Sequence, residues 1–411
     1  MTDVPQPGRR LTVSVLLLAA MTIMANATIA PSLPGLKAHF ADVEGIDTLA
    51  GLIVTLPSLA IMLTAGLVGW MSDRYNRQVM LALSALAYAI GGTTGLWADS
   101  LGQLLAGRLL LGFGVAGTMT LGMAWAADLW QGEARAKFMG LQGAAMSGGG
   151  IVVMLLGGAL ATLHWRGAFA VYALVLPIAG FALVMLAPHA KRITARRTAA
   201  ETVRHAPAEP FPWKAYAMIA PLAFLFMASF YVMPTRLPFL LAEVGVTNAA
   251  VTGAVMASMT LVSMPGALLY GRIRRFLSPM AIFAASYLLM GLGVVLVGQA
   301  QGPGLVVLGL MIAGLGMGPS MPNYTTYFMS FVPASQRGRA SGLLTTAFFA
   351  GQFASPLISA PLVAAFGLRG GFDAMGIGLL VLGLGIFGFR ALRGSEGLAE
   401  TRVAAATAEA R

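Results

Sequence analysis

Long apolar runs recur along the whole chain, and they constrain its fold more than any other feature. A helix needs roughly 20 apolar residues to cross the hydrocarbon core of a bilayer, and these runs reach that length without the alternation of a β-strand. Only 10% of the 411 residues are charged, and the mean hydropathy is +0.80. Because only helices and closed barrels satisfy their backbone hydrogen bonds in lipid, the sequence predicts an all-α integral membrane protein.

The runs predict twelve transmembrane helices, which a polar segment closed by prolines divides six and six. We place the spans at residues 11–31, 48–70, 79–98, 103–127, 138–161, 168–187, 215–241, 248–270, 279–299, 304–329, 340–364 and 371–391. The predicted organisation is a first six-helix bundle, a cytoplasmic linker, a second bundle and a disordered cytoplasmic tail, at residues 1–188, 189–213, 214–393 and 394–411.

The first run also allows a different interpretation, because it has a basic start and an Ala-Asn-Ala ending, as a cleaved signal peptide does. The run is longer than the apolar region of a typical signal peptide, and eleven further spans follow it. We therefore expect it to remain as the first helix.

The net charge of +11 reports topology rather than a nucleic-acid partner. With the N-terminus inside, most of the 26 lysines and arginines fall in segments that are then cytoplasmic. The exceptions are Lys37, Arg108, Arg166, Arg236 and Arg369. This asymmetry follows the positive-inside rule. It predicts a multi-pass protein of the inner membrane with both termini and the linker in the cytoplasm.

The two halves carry similar residues at a fixed offset of 202 positions. Gly112 and Gly114 precede Gly314 and Gly316 by this distance. The same register holds for the pairs Gly69–Gly271, Arg135–Arg337, Lys137–Arg339, Gly140–Gly342 and Gly149–Gly351. Parallel repeats of six helices build one class of secondary transporter. The expected fold is two pseudo-symmetric six-helix bundles.

A charged stretch, "GWMSDRYNRQ", follows the second span. It resembles the Gly-x-x-x-Asp-Arg-x-Gly-Arg-Lys signature of the major facilitator superfamily, and Gly69, Asp73, Arg74 and Arg77 match. Asn76 replaces a glycine, and Gln78 replaces the last basic residue. The fold predicted from the two repeats is the fold that this resemblance implies.

The resemblance also implies a gate. Asp73 would face the N-terminus of the eleventh helix, where the helix dipole favours an anion, and Arg77 would pair with Asp128 at the end of the fourth helix. The signature residues would then latch the two halves together on the cytoplasmic side in an outward-open state. The alternative is a solvated loop whose arginines merely obey topology.

Arg108 lies about two turns inside the fourth span, within "GRLLLGFGVAG". This stretch contains a G-x-G-x-x-G, but no strand precedes it, so it is not a dinucleotide site. A charge at this depth is a functional hypothesis by default. Arg108 matches the arginine of a fourth-helix motif that the family links to proton transfer. The alternative is an arginine that snorkels to the membrane surface.

The subtype of transporter is predicted from the fifth and sixth spans. Gly140, Gly149, Gly157 and Gly158 follow the spacing of a motif found in drug antiporters, but Val153 and Met154 occupy its Gly-Pro position. "HWRGAF" resembles the start of the sixth helix in the same proteins. The twelve-helix drug and siderophore proton antiporters are the most similar type.

Candidate cargo contacts are the polar and aromatic residues of the spans. No Asp or Glu lies in the middle of any predicted span. This absence favours neutral, zwitterionic or anionic cargo over organic cations. The candidates are Asn26, Tyr231, Asn323, Tyr324, Tyr327 and Gln352. Ordinary hydrogen bonding between helices is the alternative for each of them.

The predicted function is a proton-coupled secondary active transporter, a monomer in the bilayer, that exports drug-like or siderophore-like molecules by alternating access. Import of a small metabolite such as an organic anion or sugar is the alternative, and a non-transporting membrane receptor is an alternative from another class. No enzyme is expected, since no Ser-His-acid set is evident. No metal or cofactor is expected, since the chain has no cysteine and only scattered histidines.

Overall fold

The computed structural model describes residues 8–130, 132–189 and 209–409, and all regular structure in these ranges is helical. Side chains at 26, 27, 73, 132, 133, 136, 189, 334 and 390–409 lie outside this description. Eleven described helical stretches are long and apolar enough to cross a membrane. The last of them is two helices, because Gly367 interrupts it with a φ of 74° and a ψ of 174°. The twelve predicted spans are thereby confirmed.

The twelve helices are numbered in chain order. They are α1 Arg9–His39, α2 Ile46–Arg74, α3 Arg77–Leu96, α4 Leu101–Leu129, α5 Gly132–Leu163, α6 Trp165–Leu186, α7 Trp213–Glu243, α8 Ala249–Leu268, α9 Pro279–Gly298, α10 Pro303–Ser330, α11 337–366 and α12 368–409. A short helix, Tyr270–Phe276, follows α8. Helices α1–α6 are called the first half and α7–α12 the second half.

Local sequence explains where several helices begin. Ser100 and Gln103 form a reciprocal capping box at the start of α4, in which each side chain accepts a hydrogen bond from the other's backbone nitrogen. The Asn248 side chain accepts from the backbone nitrogen of Ala250 at the start of α8. These caps satisfy backbone donors that would otherwise lack partners at the helix ends.

The helix boundaries differ from prediction in three places. α1 continues past residue 31 to His39 through a 3-10 turn at Ala30–Ser32. Pro31 is tolerated there because it lies in the first turn of a helical segment, where its missing N–H needs no partner. α6 begins as a 3-10 helix, Trp165–Leu174, three residues before its predicted start. Residues 394–409 are helical where the sequence predicts a disordered tail, since alanine and glutamate favour helix there.

Helix packing repeats between the halves with the offset of 202 positions. A Cβ atom placed on Gly112 would lie 2.5 Å from the Pro57 carbonyl oxygen, and one on Gly314 would lie 2.5 Å from that of Met259. Both glycines therefore allow two helices to approach closely. Because Pro57 and Met259 are also 202 positions apart, the contact is the same in both halves. The predicted pair of pseudo-symmetric six-helix bundles is confirmed.

The helices alternate in direction, so the protein has two faces. The linker face is where α1 and α7 begin and where α6 ends. The far face carries the loops 40–45, 97–100, 244–248 and 299–302. The two halves meet differently at these two faces.

On the far face, α5 of the first half packs against α8 of the second. A Cβ atom on Gly158 would lie 2.7 Å from the Ala249 carbonyl oxygen. Gly140 precedes Gly158 by eighteen residues, which is about five helical turns, so both lie on the same side of α5. A Cβ atom on Gly140 would have no described atom within 4 Å. α5 and α8 therefore touch near the far face and separate toward the linker face.

The same change occurs along α2. A Cβ atom on Gly51 would lie 2.8 Å from the Pro356 side chain of α11. Gly69 follows by about five turns on the same side of the helix. The nearest described atom to a Cβ there is in Thr120 of the first half itself, at 3.9 Å. The two halves are consequently in contact near the far face and apart near the linker face, and the space between them is called the cavity.

Candidate functional site

The closed end of the cavity contains polar contacts between the two halves. Ser58 of α2 donates a hydrogen bond to the Gln352 side-chain oxygen of α11 at 2.8 Å. The Gln352 amide nitrogen also lies 3.7 Å from the Met227 sulfur of α7. Three helices thus converge on Gln352, one of the predicted cargo residues. The Ser58–Gln352 hydrogen bond joins α2 to α11 across the two halves.

Tyr231 is another predicted cargo residue. It stands between the two segments of α7, Trp213–Phe230 and Val232–Glu243, and its side chain is buried. The side chain of Asn26, the corresponding candidate in α1, lies outside the described residues. Among the described candidates, Gln352 and Tyr231 are therefore the two on helices that meet at the closed end of the cavity.

The predicted residues of α10 bond within the second half. The Tyr324 hydroxyl lies 2.8 Å from that of Tyr287, which in turn donates to the Leu222 carbonyl oxygen at 2.5 Å. Asn323 is fully buried; it donates to the Pro279 carbonyl oxygen at 3.0 Å and accepts from the Tyr270 hydroxyl at 3.1 Å.

Both side chains are therefore in the interhelical arrangement that the sequence left as the alternative to cargo contact. The third predicted residue of α10, Tyr327, is half-buried, and its ring lies 5.0 Å from the ring of Phe331.

Arg108 is completely buried inside the first half. Its Nη2 atom donates to the Gly92 carbonyl oxygen at 2.7 Å, and its guanidinium lies 4.9 Å from the ring centres of Phe169 and Tyr172. No described carboxylate is paired with it, and Nε and Nη1 have no hydrogen-bond partner among the described residues. Snorkelling to the membrane surface, the alternative for Arg108, is not what the structure shows.

Two tyrosines connect the surroundings of Arg108 to α1. The Tyr172 hydroxyl donates to the Ala25 carbonyl oxygen at 3.0 Å, and the Tyr88 hydroxyl donates to that of Met21 at 2.8 Å. These two hydrogen bonds tie α1 to the residues that surround the buried charge.

The repeat shows what the fold needs at this position. In the first half, Gly91 of α3 packs on the backbone of Gly107 in α4, and in the second half Gly293 packs on Gly309 in the same way. Position 310, the counterpart of Arg108, is a buried leucine, Leu310. The equivalent position in the second half thus accommodates an apolar side chain.

The predicted gate residues lie at the linker face. Arg77 Nη1 is 2.5 Å from Asp128 Oδ2, and Arg77 Nε donates to the Ser72 carbonyl oxygen at 3.2 Å. The pair joins the start of α3 to the end of α4 within the first half. The Arg74 guanidinium lies 3.9 Å from the centre of the Trp70 ring. Gly69 belongs to the uncovered side of α2, and the Asp73 side chain lies outside the described residues.

One buried cation was missed as a site by the sequence predictions. The sequence marks Arg236 only as an exception to the cytoplasmic bias of the basic residues, but the structure buries it, with 3% exposed. It contacts both halves near the far face, through the Asp47 carbonyl oxygen of α2 and through α11. The available signal was a single charge between prolines in an otherwise apolar run, "VMPTRLPFLL".

Comparison with known proteins identifies the family. The sequence model of the Major Facilitator Superfamily matches residues 15–356 and 282–405. The chain belongs to this superfamily. Its described helices are those of a multi-pass membrane protein, and the resemblance first given by "GWMSDRYNRQ" is confirmed at the level of the superfamily. The drug and siderophore antiporter subtype stays a prediction.

Individual relatives share about a third or less of their residues with this chain over the matched regions. The chain is 31% identical over 136 residues to a triacylglyceride transporter of Mycolicibacterium smegmatis, which covers 33% of this chain and 24% of that protein. It is 27% identical over 391 residues to a triacylglyceride transporter of Mycolicibacterium hassiacum, covering 77% and 71%. A class C tetracycline resistance protein of Escherichia coli is 33% identical over 144 residues, covering 34% and 35%. The match thus spans about a quarter of the first relative and a third of the last.

A solved structure with the same fold is the inward-open form of the xylose transporter XylE from E. coli. The TM-score is 0.71 at 16% sequence identity, with 92% of this chain and 94% of that chain covered. This similarity concerns the fold alone.

Proposed function

We propose that this transporter is proton-coupled and exports small organic molecules across the inner membrane by alternating access, with its linker face in the cytoplasm. The observation that carries the proposal is the cavity between the two halves, which is closed at the far face and open at the linker face. Rocking of two pseudo-symmetric bundles about such a cavity exchanges the open face. The basic residues of the linker-face segments support the orientation.

Arg108 supports proton coupling because it is a buried charge without a carboxylate partner, at a position where the second half has Leu310. A guanidinium does not release its proton in a protein. Arg108 therefore acts electrostatically. Its positive charge makes the part of the first half that packs against α1 unfavourable for a second positive charge. Tyr88 and Tyr172 link this field to the position of α1, so that proton movement and helix movement depend on each other.

The cargo that we propose is a neutral or anionic molecule of largely apolar character. No described ion pair or buried carboxylate lies between the two halves at mid-depth, where an organic cation would need a counter-ion. Ser58 and Gln352 provide hydrogen bonds at the closed end without a net charge. The triacylglyceride transporters among the relatives support apolar cargo, and the tetracycline resistance protein supports export.

Everted membrane vesicles test the proposal. A respiratory proton gradient is imposed, compounds identified by drug-sensitivity and metabolite comparison of cells with and without the protein are added, and uptake and lumenal pH are followed together. The parent should accumulate cargo and dissipate the gradient. Arg108→Leu should do neither, at normal abundance, whereas Arg108→Lys should retain part of the activity. Gradient-driven uptake by Arg108→Leu at the parent's rate would disprove the coupling role.

A stability measurement separates coupling from folding. Because Leu310 fills the equivalent place, Arg108→Leu should keep or raise the melting temperature of the purified protein, since a buried charge without a carboxylate is replaced by an apolar side chain. A large decrease in melting temperature would instead make Arg108 a structural residue.

A further inference from the structure

Arg236 occupies the junction of the two halves near the far face. It lies in the second segment of α7, Val232–Glu243, and 3% of it is exposed. Its Nε atom donates to the Ser359 hydroxyl of α11 at 3.1 Å, and Nη2 lies 3.5 Å from the Pro356 carbonyl oxygen. Both of these partners belong to its own half.

The remaining donor crosses to the other half. Nη1 donates to the backbone carbonyl oxygen of Asp47, in the first turn of α2, at 3.1 Å. The side chain of Asp47 forms an ion pair with Lys37. The ammonium group of Lys37 also lies 5.6 Å from the centre of the Phe239 ring of α7. The planar guanidinium thus holds α2 to α7 and α11 with donors that point in different directions.

We propose that Arg236 is the clamp that keeps the far face closed. A buried cation is costly unless polar atoms surround it, and the described acceptors of Arg236 come from both halves only while those halves touch. Gly51 permits this approach, because a Cβ atom there would lie 2.8 Å from Pro356. When the far face opens, α2 leaves and Arg236 loses the Asp47 oxygen, so the closed arrangement is favoured by one charge-assisted hydrogen bond.

The hydrogen-bond acceptor in the first half is the main-chain carbonyl oxygen of Asp47, and the Asp47 carboxylate adds an electrostatic attraction for the Arg236 charge. The inference rests on the proposed function only in assuming that the halves alternate between two arrangements.

The test measures distances in the purified protein and needs no cargo. Since the natural chain contains no cysteine, two pairs of spin labels report the two faces without competing sites. Leu163→Cys with Val251→Cys spans the far face, and Met139→Cys with Leu269→Cys spans the linker face. All four side chains are exposed, at 83%, 47%, 43% and 44%.

Arg236→Met keeps the length of the side chain and removes every donor. We expect the ratio of far-open to far-closed molecules to rise about tenfold or more, the effect of one hydrogen bond to a charged group. The far-face distance should lengthen while the linker-face distance shortens. Simple loss of structure would broaden both distributions and shorten neither. Arg236→Lys, which keeps the charge without the fork, should give a smaller shift.

Arg369→Met is the matched control. Arg369 also lies near the far face, but its described partners, the Ala300 carbonyl oxygen and Glu243, are in its own half. Its removal should leave both distances unchanged. If Arg236→Met does not accumulate, Arg236→Lys carries the test, because it weakens the clamp while keeping the charge.

Unchanged distances in a folded Arg236 variant, or an equal shift in Arg369→Met, would overturn the proposal. These results are independent of transport. A chain that moves no cargo still reports whether Arg236 closes the far face, and a chain that transports with unchanged distances refutes the clamp alone.

Discussion

Arg166 and Arg369 bind equivalent carbonyl oxygens in the two halves. Arg166 Nη1 donates to Ala98 at 2.7 Å, and Arg369 Nη1 donates to Ala300 at 2.5 Å. The acceptors are 202 positions apart, and the arginines stand in related stretches, "WRGAF" and "LRGGF". In each half the arginine therefore fixes the start of the last helix to the loop that follows the third.

This relationship predicts which of two contacts stabilises the first half. Arg166→Ala should lower the free energy of unfolding by about 1–3 kcal/mol, because the loop carbonyls lose a charged donor. Asp99→Asn should change it by less than about 0.5 kcal/mol, since the Asp99 side chain, 3.5 Å from Arg166, is 94% exposed. Thermal melts of both variants in the same detergent measure the difference, and equal effects would contradict the assignment.

Asp73→Asn tests the proposed latch at the linker face. An anion at a helix N-terminus contributes roughly 0.3–2 kcal/mol. Loss of the charge should therefore shift the population toward the arrangement that is open at the linker face by up to about thirtyfold. Spin labels across the linker face should report longer distances, with slower transport. Asp42→Asn, an exposed acid of the far face, is the charge-matched control. Identical distances in Asp73→Asn and the parent would leave Asp73 as a loop residue.

The orientation of the chain is testable without altering its own thiols, because it has none. Asp3→Cys, Ala200→Cys and Glu400→Cys should resist an impermeant thiol reagent applied to intact cells, since the basic residues hold these segments in the cytoplasm. Glu44→Cys, in the far-face loop 40–45, should react. Labelling at any of the first three positions would contradict the proposed topology.

Small residues at the contact of α5 and α8 should control which face opens. Gly158→Val would force a side chain against the Ala249 backbone and should separate the halves at the far face. Gly140→Val has room in the present arrangement and should instead obstruct closure of the linker face. Distances across both faces distinguish the two variants, which should shift the population in opposite directions. Equal shifts would show that the glycines act only through helix stability.

The number of helices and their repeat were predictable because they depend on features that the sequence carries directly. The length of an apolar run sets whether it spans the bilayer, and glycines such as Gly112 and Gly314 keep their register where two helices must touch. The break at Gly367 was also placed between two predicted spans. The span lengths, the contact glycines and the break at Gly367 each depend on residues that are adjacent in the chain or on the 202-residue repeat.

The polar sites were less predictable, because a side chain in an apolar run does not show which neighbour it faces. Tyr324 and Gln352 have the same kind of sequence environment, yet one bonds to Tyr287 within its half and the other to Ser58 across the halves. Arg236 has no counterpart in the first half that would have marked it. Such partners become known only when the helices are packed.

Gly51 and Gly69 lie on one line along α2, with about five turns between them, and only Gly51 is covered by the second half. α2 thus contacts the second half near Gly51 and diverges from it toward Gly69. α2 therefore takes part in opening and closing at both faces of the protein. In the proposed alternating-access cycle, movement of α2 as one rigid helix keeps the passage from being open at both faces at once, which prevents leakage across the membrane.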